Sequence, residues 1–393
     1  MPKRHPLDVV IIGAGVVGAA IAYYAARSGL SVAVVDRGSV AGGTTGAGEG
    51  NLLVSDKEAG PELDLALLSA GLWRELEAVL PREIEYEAKG GLVVAPDEAS
   101  LKALRDFAEG QRAAGVEAVE AGPRDLRELE PHLAPGQVGG FLYPQDAQVQ
   151  PAQAAARLLA ASGASVHLGE EVTGILTGPG GVRGVRTRGG ELLAPAVVNA
   201  AGTWGGHIAE LAGVSLPVLP RRGFVLVTEP LPRVVRHKVY AADYIADVAS
   251  GSAALQSSAV VEGTPAGPVL IGATRERVGF DRSLSVEALR RLAAQAAALF
   301  PVLADAQVLR TYHGFRPYLP DHLPAIGPDP RLPGLLHACG HEGAGIGLAP
   351  ATGVLITAAL TGAEPPLAPA PFHPARFDED HFDEARFDQD PPR

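Results

Sequence analysis

Residues 8–36 read DVVIIGAGVVGAAIAYYAARSGLSVAVVD, and the order of apolar run, spaced glycines, apolar helix and second apolar run decides the fold. Asp8 to Ile12 has the continuous apolar character of a buried parallel strand. Gly13-Ala14-Gly15-Val16-Val17-Gly18 then opens a helix carried by Ala19 to Ser28, Gly29 ends it, and Ser31 to Val35 forms a second strand finishing at Asp36. The glycines differ in what they make possible. Gly13 permits the tight turn, Gly15 lets the backbone approach a pyrophosphate, and Gly18 lets helix pack closely on strand. The helix N-terminus offers free N–H groups and a positive dipole end to the phosphates. Asp36 stands where an acid accepts hydrogen bonds from both ribose hydroxyls, whereas arginine there would favour a 2′-phosphate. A glycine-rich turn without a ligand is the competing reading. The ordered series of strand, turn, helix, strand and acid favours a nucleotide.

At 393 residues the chain exceeds the ~250–300 residues of a usual single core, so two lobes are expected. A formal net charge of −12 argues against nucleic acid and against an anionic membrane surface, both of which select clustered Lys and Arg. The single cysteine, Cys339, excludes an internal disulfide framework and a multi-cysteine metal or iron–sulfur site. Lys3 and Arg4 before the apolar run Val9–Ala26 mimic a secretory signal, but three spaced glycines interrupt that run and a strand with an acidic end follows. No stretch reaches the ~20 uninterrupted apolar residues of a spanning helix. The expected compartment is the cytoplasm.

Two further segments point to a flavin over a nicotinamide. Ala41-Gly42-Gly43-Thr44-Thr45-Gly46-Ala47-Gly48-Glu49-Gly50-Asn51 is a glycine-dense loop able to wrap an extended ligand through backbone N–H groups, with Thr44 and Thr45 in reach of phosphate or ribityl oxygens. A flexible surface loop is the alternative. Near the other end, Gly340-His341-Glu342-Gly343-Ala344-Gly345-Ile346-Gly347-Leu348-Ala349-Pro350-Ala351-Thr352-Gly353 supplies a second glycine-rich turn. Two such elements flanking a long interior suggest one cofactor gripped from both ends of the chain.

These pieces, with Val197-Val198-Asn199-Ala200-Ala201-Gly202-Thr203-Trp204, Arg221-Arg222-Gly223, Gly272-Ala273-Thr274 and Gly314-Phe315-Arg316-Pro317, resemble the D-amino-acid oxidase family of flavoproteins, especially its glycine oxidase and amino-acid dehydrogenase branch. Gly50-Asn51-Leu52-Leu53-Val54-Ser55-Asp56-Lys57 and Gly60-Pro61-Glu62-Leu63 look like the group containing D-hydroxyproline dehydrogenase and the octopine and nopaline oxidase subunits. Members of that group often work with partner subunits that carry electrons away. The resemblance implies an α/β protein with a Rossmann-like FAD-binding domain and a discontinuous α+β second domain built on an antiparallel sheet. The implied FAD domain gathers residues 1–82, 141–215 and 311–370, the substrate domain 83–140 and 216–310, and 371–393 forms an acidic tail read as poorly ordered or peripheral. Pro217 and Pro220 mark an expected crossing between lobes.

The cofactor residues so implied are Gly13, Ala14, Gly15, Val16, Val17, Gly18, Asp36, Arg37, Thr44, Thr45, Glu49, Gly50, Asn51 and Leu52 early in the chain. Val172, Ala200, Ala201, Gly202, Trp204, Gly314 and Arg316 follow, then His341, Glu342, Gly343, Ala344, Gly345 and Ile346. FAD is expected to be noncovalent, with Cys339 a small buried residue and not a flavin tether. His341 and Glu342 invite a metal reading, yet adjacent residues on one backbone seldom converge on an ion and no further ligands cluster near them.

Arg316, braced by Gly314 and Pro317, is the implied carboxylate-binding arginine, since a planar guanidinium grips a carboxylate with two parallel hydrogen bonds. Tyr244 is the implied flanking tyrosine, with Tyr240 its competitor. Arg275 is expected either to read a distal carboxylate or hydroxyl, or to pair structurally with Glu276 or Asp281. Asn51 and Glu49 are expected near the flavin ring, in reach of substrate or partner.

The expected chemistry is FAD-dependent oxidation of a small amino or imino acid, D-proline- or D-hydroxyproline-like or opine-like, by hydride transfer from the α-carbon to the flavin, giving an imine. Glycine or sarcosine oxidation is the second reading. A non-catalytic FAD-carrying electron-transfer subunit and an NAD-dependent dehydrogenase stand as readings from other classes.

Overall fold

The computed structural model describes residues 6–245 and 252–377. Its first layer grows from the stretch quoted above. Strand Val9–Ile12 lies between Val32–Asp36 and Ala196–Asn199, and the parallel sheet continues outward to Ser165–Leu168 on one side and Leu335–Cys339 on the other. Ala325–Pro328 closes it as an antiparallel edge. A strand buried on both faces has to be apolar throughout. Accordingly, Val9 and Ile11 pack with the helices Val16–Arg27, Pro151–Ser162 and Gly345–Thr361, while Val10 and Ile12 pack with the antiparallel ribbon Val172–Gly178, Gly181–Thr187 and Gly190–Leu193. Three parallel strands run out at Gly13, Asp36 and Ala200, so a crevice opens beyond their carboxyl ends, the usual place for a ligand in such sheets.

The second layer is an eight-stranded sheet in the order Val308–Tyr318, Leu219–Pro230, Pro268–Arg275, Gln256–Gly263, Lys238–Ala241, Gly91–Ala95, Gly139–Tyr143, Val119–Ala121. Helix Val286–Leu299 covers it with Leu292, Ala296 and Leu299, which join Leu226, Val261 and Ile271 in a separate core.

Several expectations need adjustment. The sheet is antiparallel except where Lys238–Ala241 runs parallel to Gly91–Ala95. Strands Gly139–Tyr143 and Val308–Tyr318 both belong to the second sheet, so the expected changes of lobe at 140/141 and 310/311 fall inside strands. Pro220 lies within strand Leu219–Pro230 and not in a connection. Of the acidic tail, residues 378–393 lie outside the described residues. The seven before them pack down, with Phe372 1% and Phe377 5% exposed and Arg376 paired to Asp321.

The segment after Asn51 is pinned from two sides. The Asp146 carboxylate accepts the N–H groups of Val54 (2.8 Å) and Ser55 (3.2 Å) and the Ser55 hydroxyl. The buried Gln111 amide donates to the carbonyls of Val54, Ser55 and Lys57 while its own oxygen accepts from Tyr143. Burial pushes the Asp146 carboxyl up from 3.8 to about 7, against the opposing pull of those hydrogen bonds. The native state therefore keeps a proton that the unfolded chain has already released at intermediate pH. The contribution to stability is full below 3.8 and lost as pH rises toward 7. An Asp146→Asn variant keeps an acceptor for the two backbone N–H groups and is expected to flatten this decline. Urea unfolding at pH 5 and pH 8 measures it, and an unchanged pH dependence in the variant would refute the assignment.

Candidate active site

The crevice begins at the glycine turn. Gly13 has φ +115°, and a Cβ there would stand 2.3 Å from the Ala200 carbonyl oxygen; a Cβ on Gly18 would stand 1.9 Å from the Gly13 carbonyl oxygen. These two glycines let the turn, the strand end Ala196–Asn199 and the helix close on one another. Gly15 caps the helix without a side chain, and the Val16 N–H donates to the Thr45 hydroxyl oxygen at 3.1 Å. Asp36 accepts the N–H groups of Ala14 (2.8 Å) and Gly38 (2.7 Å), which fixes its carboxylate at the rim of the second strand.

Beyond this turn lies a cavity of about 760 Å³, within the range of small-molecule and cofactor sites. Gly13, Gly15, Val16, Val17, Asp36, Arg37, Thr44, Thr45, Glu49, Gly50 and Asn51 line it from the N-terminal side. Val172, Ala200, Ala201, Gly202, Trp204, Gly314 and Arg316 line it from the middle of the chain, and His341, Glu342, Gly343, Gly345 and Ile346 from the C-terminal side.

Four implied cofactor residues do not line it. Ala14 turns its side chain into the core and Gly18 packs on the strand, while Leu52 pairs with Ala147 and is buried. Ala344 borders a smaller adjoining cavity instead. The Thr44 hydroxyl donates to the Phe315 carbonyl at 2.6 Å, as Thr203 does at 2.7 Å, so it ties the wrapping loop to strand Val308–Tyr318.

Other lining groups escaped sequence reading. Gly169, Glu170 and Glu171 follow the strand that pairs beyond Asp36, which only the sheet order reveals. Arg282 arrives from the second lobe on the excursion after Arg275, and nothing in the sequence marks it. Phe280 from the same excursion stacks on Trp204 at 5.5 Å and 11°, and Arg37 covers that indole at 4.2 Å.

At the other end the strand register brings charge inward. Arg316 pairs with Arg221 and Gly314 with Gly223 across the two long strands. The Arg316 guanidinium fits because Gly223 lacks a side chain, a Cβ there standing 2.1 Å from its Nη1. That Nη1 donates to the Thr274 carbonyl at 2.8 Å, and no carboxylate lies within ion-pair distance among the described residues. Burial first, then the neighbouring Arg275 charge, pulls the Arg316 pKa down to about 10.

Tyr244 is 6% exposed, packs on Tyr240 at 4.7 Å, and borders both cavities. The competitor, Tyr240, is fully buried with its hydroxyl 2.6 Å from that of Ser55. Two buried acceptors also face this end, Oε1 of Glu49 and Oδ1 of Asn51, each without a hydrogen-bond partner among the described residues. Burial pushes the Glu49 pKa up, with nearby Lys238 opposing.

His341 shares a hydrogen bond with Thr352 at 3.0 Å, and burial pulls its pKa down to about 3, so the ring is neutral. Glu342 reaches Arg221 at 3.3 Å and His322 at 2.8 Å. The His-Glu pair thus serves separate partners. Cys339 is fully buried, with its thiol directed at the Asn199 carbonyl at 3.1 Å and its pKa pushed by burial up to about 12. A glycine turn opening a helix, an acid at the second strand end, glycines along the walls and orphaned acceptors at the far end fit FAD.

The chain matches the model of the FAD dependent oxidoreductase family, DAO, over residues 8–359. It is 31% identical over 363 residues to glycine oxidase of Geobacillus kaustophilus, covering 90% of this chain and 92% of that protein. It is also 31% identical to hydrogen cyanide synthase subunit HcnC of Pseudomonas aeruginosa, with 89% and 91% covered. The crystal structure of the Geobacillus glycine oxidase superposes with a TM-score of 0.85 at 30% identity, covering 95% of this chain and 99% of that one.

Proposed function

We infer from the family to which this chain belongs, the DAO family of FAD-dependent oxidoreductases, that its substrate is a small amino or imino acid whose carboxylate rests on Arg316. The reaction class is FAD-dependent oxidation of an amino-acid donor. One observation carries the assignment of Arg316: a buried guanidinium at the cavity wall, with a backbone carbonyl as its hydrogen-bond partner and no carboxylate beside it among the described residues. Burying a charge without a counter-charge is costly, and a substrate carboxylate supplies that counter-charge.

FAD, when bound, supplies the acceptor for the hydride that leaves the substrate α-carbon, and the imine produced is hydrolysed by water. The chain's own residues orient and prepare the donor. Arg316 sets the carboxylate and the Tyr244 ring closes the pocket. The orphaned oxygens of Glu49 and Asn51 accept from the amine. Burial pushes the Glu49 carboxyl toward its protonated form, with nearby Lys238 opposing. Neutral His341 adds no charge to this end.

Substrates of the D-proline, D-hydroxyproline or opine kind are favoured by the adjoining cavity of about 300 Å³ beyond Tyr244, more room than glycine needs. Glycine or sarcosine is the second reading, supported by the likeness to proteins named glycine oxidase. The likeness to a subunit of hydrogen cyanide synthase supports a reading in which partner subunits take part. The test is anaerobic bleaching of bound flavin, screened over D- and L-proline, hydroxyprolines, glycine, sarcosine and opines, followed by air. Bleaching by one of these is the expected result. A stably bound flavin that none of them bleaches would leave an electron-transfer subunit as the reading.

A further inference from the structure

We propose that Arg275 is a second carboxylate-binding group and that the substrate is a dicarboxylic amino acid, with its second carboxylate on the nitrogen substituent or the side chain. The proposal rests on the reading of Arg316 as the first clamp.

Arg275 is 4% exposed. Its Nη1 is buried with no hydrogen-bond partner among the described residues, and its Cζ lies 4.6 Å from the centroid of the Tyr244 ring. The acids nearest it in sequence are committed elsewhere. Arg222 takes both Glu276 and Asp281 at 2.8 Å each. Glu342 gives Oε2 to Arg221, and Asp56 and Glu62 across the adjoining cavity flank Lys57 at 2.7 Å and 3.9 Å. Among the described residues Arg275 therefore has no carboxylate within ion-pair distance, although buried Glu49 lies near enough to feel its charge.

The position matches a ligand. Arg275 lines the adjoining cavity, which shares Asn51, Tyr244, Glu342 and Gly343 with the main one that Arg316 lines. Arg316 bonds the carbonyl of Thr274, the residue directly before Arg275, so the two cations line neighbouring cavities. Neither has a carboxylate partner among the described residues. A monocarboxylate neutralises one and leaves the other stranded, whereas a dianion neutralises both. The Tyr244 ring beneath Arg275 supports its guanidinium by a cation–π contact, leaving its in-plane N–H donors to receive a carboxylate.

The test separates binding from turnover. Non-oxidisable glutarate and butyrate, which differ chiefly in the second carboxylate, are titrated against the holoenzyme while the flavin spectrum is followed. Glutarate is expected to perturb the spectrum at a concentration at least about tenfold lower. Arg275→Met is expected to erase this difference with FAD retained, and Arg275→Lys to restore part of it. In turnover, iminodiacetate over sarcosine reads the same preference, with a loss on the order of a hundredfold in Arg275→Met for the dicarboxylate alone. Equal binding of glutarate and butyrate to the unaltered enzyme overturns the proposal, as does a preference that survives in Arg275→Met. Failure of every amino acid to bleach the flavin would instead strike the reading of Arg316, while leaving the glutarate comparison standing.

Discussion

An Arg316→Met variant is expected to bind FAD and to lose activity on the order of a thousandfold in kcat/KM for whichever amino acid bleaches the unaltered protein. Methionine keeps much of the length and apolar stem of the side chain and removes the charge and the forked donors. Removing one partner of a buried, hydrogen-bonded charge pair costs about 2–5 kcal/mol, and each factor of ten corresponds to about 1.4 kcal/mol. The loss falls on both parameters, because Arg316 holds the carboxylate in the ground state and also fixes the α-carbon for hydride departure. Arg316→Lys keeps the charge and loses the bidentate geometry, so it is expected to recover a minor part. Steady-state kinetics beside a flavin absorbance spectrum decides the matter. Undiminished turnover in Arg316→Met would remove it from the substrate site.

The second large effect is expected from a substitution that helix propensity alone would favour. Alanine is better than glycine inside a helix by about 0.8–1.0 kcal/mol, and Gly18 lies in the helix Val16–Arg27. Its added Cβ would nonetheless stand 1.9 Å from the Gly13 carbonyl oxygen and 3.4 Å from Ile11 Cγ2. The helix has to lift off the strand, which drags its N-terminus away from the phosphate-binding turn. Overpacking of this sort costs about 1–3 kcal/mol, and a Gly18→Ala protein is expected to lose most of its flavin on purification. Gly71→Ala is the control, for Gly71 lies in the helix Pro61–Glu77 with open space about it. That change is expected to stabilise by about 0.5–1 kcal/mol. Flavin content and thermal unfolding of the two variants, measured together, separate packing from propensity. Equal flavin content in both would contradict the packing role of Gly18.

What was legible in the sequence and what was not divides along physical lines. The strand–turn–helix element could be read because its constraints are local: a glycine is needed wherever backbone meets backbone within a few residues. Arg316 was singled out through family resemblance. Its lack of counter-charge was not legible, because Arg221, Arg222, Arg275 and Arg316 look alike in one dimension. Arg275 has acids close by in sequence, and only the cross-strand pairing and the path of residues 276–283 give both of them to Arg222. Glu49 was expected near the flavin ring, but the void at Gly272 that admits its carboxylate belongs to a distant strand. The same holds for Arg282 and Gly169, which reach the cavity through sheet order and an excursion whose course depends on tertiary packing.

The buried thiol of Cys339 has a practical consequence. It is the chain's sole cysteine, it is sealed from solvent, and its raised pKa keeps it from forming the reactive thiolate. Maleimide and iodoacetamide reagents therefore meet a silent background in the native protein. A Phe280→Cys variant would carry the one addressable thiol, beside the Trp204 indole that Phe280 now covers. A dye attached there is quenched by tryptophan on contact, so its brightness reports in real time whether the second lobe stays seated over the cofactor cavity as ligands come and go.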